Sequence, residues 1–591
     1  MHCVLKSTGQ IMKTLYDGEA DKVFSTLFAH PGSLYRDIAF WAWNSRLDEK
    51  ELYRQIAIFK EMGMGGFFMH ARTGLSTEYL GPEFMHAVRT CVEVAKREGL
   101  SAWLYDEDRY PAGAAGGLVT RHVRYRTRYL LLTRKKRAEL PERDNDDSGK
   151  LIAFYGVSLD RNNMLLSYRR VEETEILCEK EIPLYVYRMV GRPDGWYNYQ
   201  TSIDVYNPEA VRYFLNVTYE TYFREVGSEF GRTIPAVFSD EPRPEPKFEL
   251  AFADDEHGVV QLPYTDDLPQ SYFERYGEDF FSALPELVWE SANRQFSRAR
   301  YRYCEHLGTR FEQAYFQQIG KWCKEHNLFF TGHMLAEGEL DCQCVRTGDV
   351  MRCFKSFGLP GIDMLCDFPE YGTAKQAQSV SRQYGCGGVL SELDGVTDWD
   401  FDFKGHKGHG DWQAALGVTV RVPHLSHLSL KGEAKRDYPA SISFQSAWWK
   451  KYPLIANHFA RVNVAMTRGK ACVHIGVIHP IESYFLVLGP RNQTHARREL
   501  LESGVQLLTK WLLHGLIDFD FISEALLPDQ SPDVEGSSFR VGEMAYEIVI
   551  VPPCFTLRSS TLALLERFRD QGGRVLFAGH VPECCEAERS S

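Results

Sequence analysis

Acidic residues stand in three short clusters, each directly after an apolar run: Asp106, Glu107 and Asp108 after LSAWLY, Asp240 and Glu241 after PAVFS, and Glu392, with Asp394 beyond it, after GGVLS. A pair of carboxyl groups facing each other across a pocket is what hydrolysis of a glycosidic bond requires. One protonates the leaving oxygen while the other attacks the sugar or activates water beneath its ring. Burial and neighbouring charge must then drive the two pKa values apart. Glu241 and Glu392 are the expected pair, the alternative for each being a structural ion pair. Asp106, Asp240 and Asp394, beside them, are candidates for holding substrate. Cationic and polar side chains that could tune the pair follow other apolar runs: His70 and Arg72 after GGFFM, Arg109 after the first acidic cluster, His333 after LFFTG, and His424 and His427 after GVTVRVP. Any one of these histidines, taken alone, also reads as a hydrogen-bonded structural side chain. Convergence of the acids is the stronger signal.

The elements that must position these residues form a rhythm of short apolar runs and longer helical patterns from about 36 to 468. The runs are IAFWAWN at 38–44, GGFFMHAR at 65–72, LSAWLYDED at 100–108, PAVFSDEP at 235–242, LFFTGHM at 328–334, GIDMLCDF at 361–368, GGVLSELDG at 387–395 and GVTVRVPHLS at 417–426. Between the first two, Asp48 can cap a helix with Leu52, Ile56 and Phe59 on one face, and Pro82 opens the helix after the second. Eight such runs are the tally of a (β/α)8 TIM barrel, whose functional residues sit at the C-terminal strand ends. Strand alternation predicts that only one acid of each adjacent pair faces the barrel axis unless a bulge intervenes.

Two stretches depart from the rhythm. The segment at about 124–199 turns strand-rich and polar, which predicts a small β insertion after the third strand. From 469 to 591 the order ACVHIGVIHP, helix, FDFI, YEIVIVPP, helix, GGRVLFAG predicts a second α/β unit with an open, flavodoxin-like sheet. It carries no GxGxxG or GxxxxGKS motif, so nucleotide binding has no support. Residues 1–35 read as an N-terminal extension.

Composition bounds the function. Over 591 residues, 44% hydrophobic and 25% charged residues describe a globular chain and exclude disordered, collagenous and coiled-coil classes. A net charge of -12 offers no basic field for nucleic acid. No run approaches the roughly 20 apolar residues of a membrane span, and the opening residues break too soon for a signal-peptide core. The expectation is a soluble, cytoplasmic protein. Its 14 cysteines include no CxxC pair, which argues for reduced, mostly buried thiols and against structural zinc.

The stretches YRDIAFWAWN, GGFFMHARTGLSTEYL, AWLYDEDRYPAGAAGG, FSDEP, TGHML, GIDML, LSELDG, DWQAALGV, HLSHLSLKGEAKRDYPASIS and WWKKY resemble bacterial glycoside hydrolases related to family 106 α-L-rhamnosidases. The layout is also similar to family 42 β-galactosidases, a barrel followed by a glutamine-amidotransferase-like α/β domain. The resemblance spans about 28–579. Clan A barrels of this kind end the fourth strand with an acid/base Glu and the seventh with a nucleophile Glu, which strand count carries onto Glu241 and Glu392. That clan has Asn before the acid/base, where this chain has Asp240. The family 106 likeness implies instead inversion through water, with calcium as an optional cofactor, and makes Glu107 a third catalytic candidate. It further implies a small glycoside or oligosaccharide substrate, and the α/β domain resembles one used for subunit contacts, which implies a homo-oligomer.

Two rival readings remain in view. A metal-dependent amidohydrolase also uses His and Asp at strand ends, but it wants paired His ligands on the first strand, and IAFWAWN has none. A barrel that binds sugar without cleaving it would use rings such as Trp41, Trp43, Trp103, Trp412, Trp448 and Trp449, and would leave the two glutamates superfluous.

Overall fold

A computed structural model of the chain describes residues 24–140, 148–293, 295–530 and 532–589. The opening segment, on which the absence of an export signal was argued, lies outside the described residues. Eight parallel strands close into a barrel: β1 (Ile38–Trp43), β2 (Gly66–Ala71), β3 (Ser101–Tyr105), β4 (Ala236–Asp240), β5 (Phe329–His333), β6 (Leu359–Met364), β7 (Val389–Leu393) and β8, formed by Val418–Pro423 and its continuation Ser426–His427. The first piece of β8 pairs with β7, and the second closes the ring against β1 through Trp41↔Ser426 and Ala42↔His427. All eight apolar runs of the sequence are strands of this barrel.

Local chemistry explains the helices between them. Asp48 accepts a hydrogen bond from the Glu51 amide and starts the helix Glu49–Glu61, which buries Leu52, Ile56 and Phe59. Pro82 occupies the first turn of Pro82–Glu98, and Gly99, at φ 69°, ends it in the left-handed conformation that glycine adopts without a Cβ penalty.

Strand alternation sorts the side chains into two layers. Ala39, Trp41 and Trp43 point outward against the helices, whereas Phe40, Phe68, Trp103, Tyr105, Phe238, Leu390 and Val422 fill the barrel interior. Trp41 and Trp43 are therefore core residues, Trp41 donating to Gln55 at 2.8 Å. The interior rings make the floor on which the polar residues at the strand ends rest. Gly332 on β5 lets two strands approach closely, since a Cβ there would lie 2.0 Å from the Ser239 carbonyl.

The insertion is a five-stranded antiparallel sheet in the order Leu165–Arg170, Lys150–Leu159, Ile182–Val190, Arg128–Thr133, Val259–Tyr264. Its last strand arrives from beyond β4, so the sheet ties the segment after β3 to the segment after β4. The C-terminal unit carries an open parallel sheet in the order Asp520–Ile522, Ile475–Ile478, Ile548–Val551, Arg574–Phe577. Among the described residues no helix is long and apolar enough to cross a membrane.

Closure of the barrel rests on a buried ion pair. Arg421 on β8 donates to Asp37, just before β1, at 3.1 Å, and the Tyr452 hydroxyl donates to the other Asp37 oxygen at 2.9 Å. Asp37 and Arg421 are 0% and 1% exposed, so removing one partner strands a charge with no solvent to take it. Asp37→Ala is expected to lower unfolding free energy by about 3–5 kcal/mol, measured by urea denaturation. A loss within ~0.5 kcal/mol of zero would show that closure does not depend on this pair.

Candidate active site

The C-terminal strand ends surround a cavity of ≈ 80 Å³ whose wall includes Asp240, Glu241, His333, Asp363, Glu392 and His424 on one arc and Arg72, Tyr110 and Tyr438 on the other. Asp240 and Glu241 both line it, although strand alternation predicts only one. The reason is Glu241's backbone: β4 ends at Asp240, and Glu241 takes a left-handed φ of 45°, which breaks the alternation and turns its side chain into the same space.

His333 is the hub. Its Nε2 lies 3.0 Å from Glu392 Oε2 and 3.3 Å from Asp240 Oδ1, while Nδ1 donates to the Met334 carbonyl at 3.0 Å. Both ring nitrogens face oxygens that can accept, an arrangement that favours the imidazolium. Burial opposes that charge, but the Glu392 hydrogen bond and the nearby Asp363 and Asp240 hold its pKa well above the ordinary histidine range. Asp240 also accepts from the Tyr105 hydroxyl at 2.7 Å, and Glu392 Oε1 lies 3.4 Å from His424 Nε2.

Glu241 stands apart from this network. No described residue gives its carboxyl a hydrogen bond, and burial, followed by the Asp240 charge, pushes its pKa up to about 8. Burial first, then the charge of Glu392, pushes Asp240 up to about 6. Asp363, which sequence reasoning did not single out, is pushed well above the carboxylate range, again by burial first. The sequence signal for it was its parity: on β6 it follows Leu359 and Gly361 on the inward face, two residues apart.

The opposite arc is built on Arg72. It makes a two-pronged ion pair with Asp437 at 2.6 and 2.8 Å, and its third nitrogen donates to His70 Nε2 at 3.1 Å. Arginine can only donate, so His70 accepts there and is neutral. Burial, then Arg72, holds its pKa well below the ordinary value, and the same two causes in the same order lower His424. His70 stacks on Phe40 of the barrel floor at 4.5 Å. The Tyr110 and Tyr438 hydroxyls meet at 3.4 Å over Arg72. Tyr110, Tyr438 and Asp437 come from loops, where strand reasoning gives no warning.

Other candidates lie elsewhere. Glu107 is consumed by its own loop: Oε1 accepts from the amides of Asp108 and Gly116, and Oε2 from those of Gly113 and Ala115, at 2.5–2.9 Å. Burial pushes its pKa up to about 7, the amide bonds opposing. Asp106 faces the helix layer and accepts from Tyr219 at 2.7 Å. Asp394, at φ 70°, turns outward to His406, His409 and Arg421, and this surrounding charge outweighs burial and lowers its pKa. Arg109 bridges Asp108 and Asn198, tying the loop after β3 to the end of the insertion. His427 donates to the Asp437 carbonyl behind Arg72. Trp412 packs against Tyr371 on the outer helix Phe403–Ala415, away from the cavity.

Two trios could hold a metal ion, Asp240–His333–Glu392 and Glu241–His333–Asp363, each with donor atoms within 4.8 Å of one another. Both rest on the His333 ring nitrogen, and each offers three donors against the roughly six to eight oxygens that calcium takes.

Fold and site together define a (β/α)8 barrel with a buried carboxyl cluster at its C-terminal face. No protein-family profile matches the chain, and no curated protein matches it. Solved structures do share its fold. A rhamnosidase from Novosphingobium sp. PP1Y is similar with a TM-score of 0.65 at 12% identity, over 96% of this chain and 70% of that one. A β-galactosidase from the haloarchaeon Halorubrum lacusprofundi is similar with a TM-score of 0.53 at 14% identity, over 94% of this chain and 74% of that one. One from Marinomonas ef1 gives 0.54 at 9% identity, over 92% and 75%.

The Glu107 cradle holds the loop that delivers Tyr110 to the cavity. Glu107→Ala is expected to cost at least about 2 kcal/mol of stability and to speed amide exchange across 108–117, read by hydrogen-exchange mass spectrometry. Unchanged exchange there would mean that the loop is held by something else.

Proposed function

We propose that this chain is a glycoside hydrolase that releases a single terminal sugar, with Glu241 as general acid and Glu392 as the opposing carboxylate. The observation that carries the proposal is the division of labour between two glutamates on one small cavity. Glu241 keeps its proton near neutrality and has nothing in the protein to give it to. Glu392 is held 3.0 Å from the His333 ring, with its carboxylate on the same cavity and across it from Glu241. Such a pair matches the acid and the nucleophile or base of glycosidic cleavage.

Cavity size supports a terminal sugar. A volume of ≈ 80 Å³ is small beside the roughly 300–1,000 Å³ of sites that enclose a drug-sized ligand, and Tyr110 and Tyr438 close one side. A polymer chain does not run through a space of that size. The shared fold with a rhamnosidase and with β-galactosidases adds support for sugar chemistry without selecting the sugar.

In the proposed reaction the glycosidic oxygen lies against Glu241, which protonates it as the bond to the anomeric carbon breaks. Glu392, across the ring, either attacks that carbon or takes a proton from an attacking water. Retention of configuration in the product, followed by NMR, assigns the first role and inversion the second.

A panel of nitrophenyl glycosides tests the reading, with hydrolysis of at least one expected and none overturning it. Glu241→Gln and Glu392→Gln should each lower kcat by about a hundredfold to ten-thousandfold with the fold intact by circular dichroism. Because Glu241 must be protonated to act, activity should fall as pH rises through about 8, and Glu241→Gln should lose that limb of the profile. A limb that survives the substitution would assign the acid to another group.

A further inference from the structure

The carboxyls of the cavity differ in what already holds them. Asp240 gives one oxygen to the Tyr105 hydroxyl and the other to His333. Glu392 gives one to His333 and turns the other to His424. Glu241 is free of the protein, and in the proposed reaction its proton goes to the leaving oxygen. Asp363 remains. It stands beside Glu392 in the β6–β7 register and lines the cavity, its Oδ1 is buried, and no described residue gives either of its oxygens a hydrogen bond. A buried polar atom without a partner costs stability. A fold that keeps one on the wall of its cavity leaves it for a molecule that enters.

Position narrows which part of that molecule it meets. β6 lies between β5 and β7, so Asp363 flanks the line from Glu241 on β4 to Glu392 on β7. The anomeric carbon must sit on that line, and its two ring neighbours are the ring oxygen and the carbon bearing the 2-hydroxyl. Whether charged or neutral, the Asp363 carboxyl can accept from a sugar hydroxyl, and burial, against the pull of His333, raises its pKa. A neutral carboxyl both donates and accepts, as a hydroxyl does. The ring oxygen can only accept, and donation to it would oppose the positive charge that develops there as the bond breaks.

We propose that Asp363 is a specificity residue that binds the 2-hydroxyl of the sugar held in this cavity, an assignment that rests on the glycoside-hydrolase reading above. It makes the substrates glycosides with a free hydroxyl next to the anomeric carbon and excludes 2-deoxy and 2-acylated sugars.

The test compares kcat/KM for the nitrophenyl glycoside that the wild-type enzyme cleaves fastest with that for its 2-deoxy analogue, in wild type, Asp363→Ala and Asp363→Asn. Asp363→Ala is expected to narrow the preference for the hydroxylated substrate by about ten- to hundredfold. Asp363→Asn keeps a donor and an acceptor and should narrow it less. It also serves if the alanine variant does not fold. A preference unchanged in the variants overturns the assignment, whatever happens to kcat, and leaves the glycosidase reading standing. A wild-type enzyme that cleaves no glycoside of the panel overturns that reading and this assignment with it.

Discussion

One buried imidazolium sets the charge state of the whole site. Asp240, Glu241, Asp363 and Glu392 crowd around His333, and the donor atoms of each trio lie within 4.8 Å of one another. Two unit charges at that distance interact by about 3.5 kcal/mol at an effective dielectric constant of about 20, or ~2.5 pKa units. A single positive ring cannot offset that repulsion for four carboxylates, so protons must stay on some of them. They stay where no hydrogen bond to the ring rewards ionisation, on Glu241 and Asp363, whose pKa values burial raises most directly. The proposed acid is thus a consequence of burial first and of charge crowding second. The protons of such a cluster belong to the group as a whole, and a change at any member redistributes them.

The barrel supplies the crowding cheaply. Inward residues at the strand ends fall in line because each strand repeats every two residues: Phe68, His70 and Arg72 along β2 and its exit, Leu390 and Glu392 along β7, Val420, Val422 and His424 along β8. Beneath them the interior is packed with rings and aliphatic groups, so the polar layer rests on a dry floor, with Phe40 against His70 and Phe238 against His333 at 5.5 Å. Low solvent access from below helps raise the pKa values of Asp240, Glu241 and Asp363. Two left-handed residues then edit the regular pattern: Glu241 turns into the cavity and Asp394 turns out of it. The first adds a carboxyl to the cluster. The second removes one and spends it on His406, His409 and Arg421 in the helix layer.

This explains how much could be read from the sequence. Strand ends were legible because an apolar run stops there and alternation predicts a face, and that is why Glu392, Arg72, His333 and His424 meet on one cavity, with His70 behind Arg72. Backbone reversals are not written in residue type, so the pair Asp240 and Glu241 was expected to split, and Asp394 was expected beside Glu392. Glu107 looked like its neighbours because nothing in YDEDRYP announces that the following loop curls its amides back onto that carboxylate. Asp363 was passed over for the opposite reason: it is a lone acid inside GIDML, where an apolar run hides it. The strand at Val259–Tyr264 was missed because its partners are remote in the chain, beyond the whole of β4.

The far arc of the cavity shows why one cation, and not several, governs the near one. Arg72 lies close enough to pull on Asp240, yet Asp437 grips it with both oxygens and offsets much of its field at a distance. Burial first, and the charge that remains on Arg72 second, keep His70 and His424 neutral. Had either ring gained a proton, a second imidazolium would face Glu392 or sit over the cavity, and the repulsion that holds a proton on Glu241 would be relieved. Pairing Arg72 with Asp437 therefore protects the proposed acid from across the site. The arginine shapes the wall of the cavity and disfavours further cations beside it.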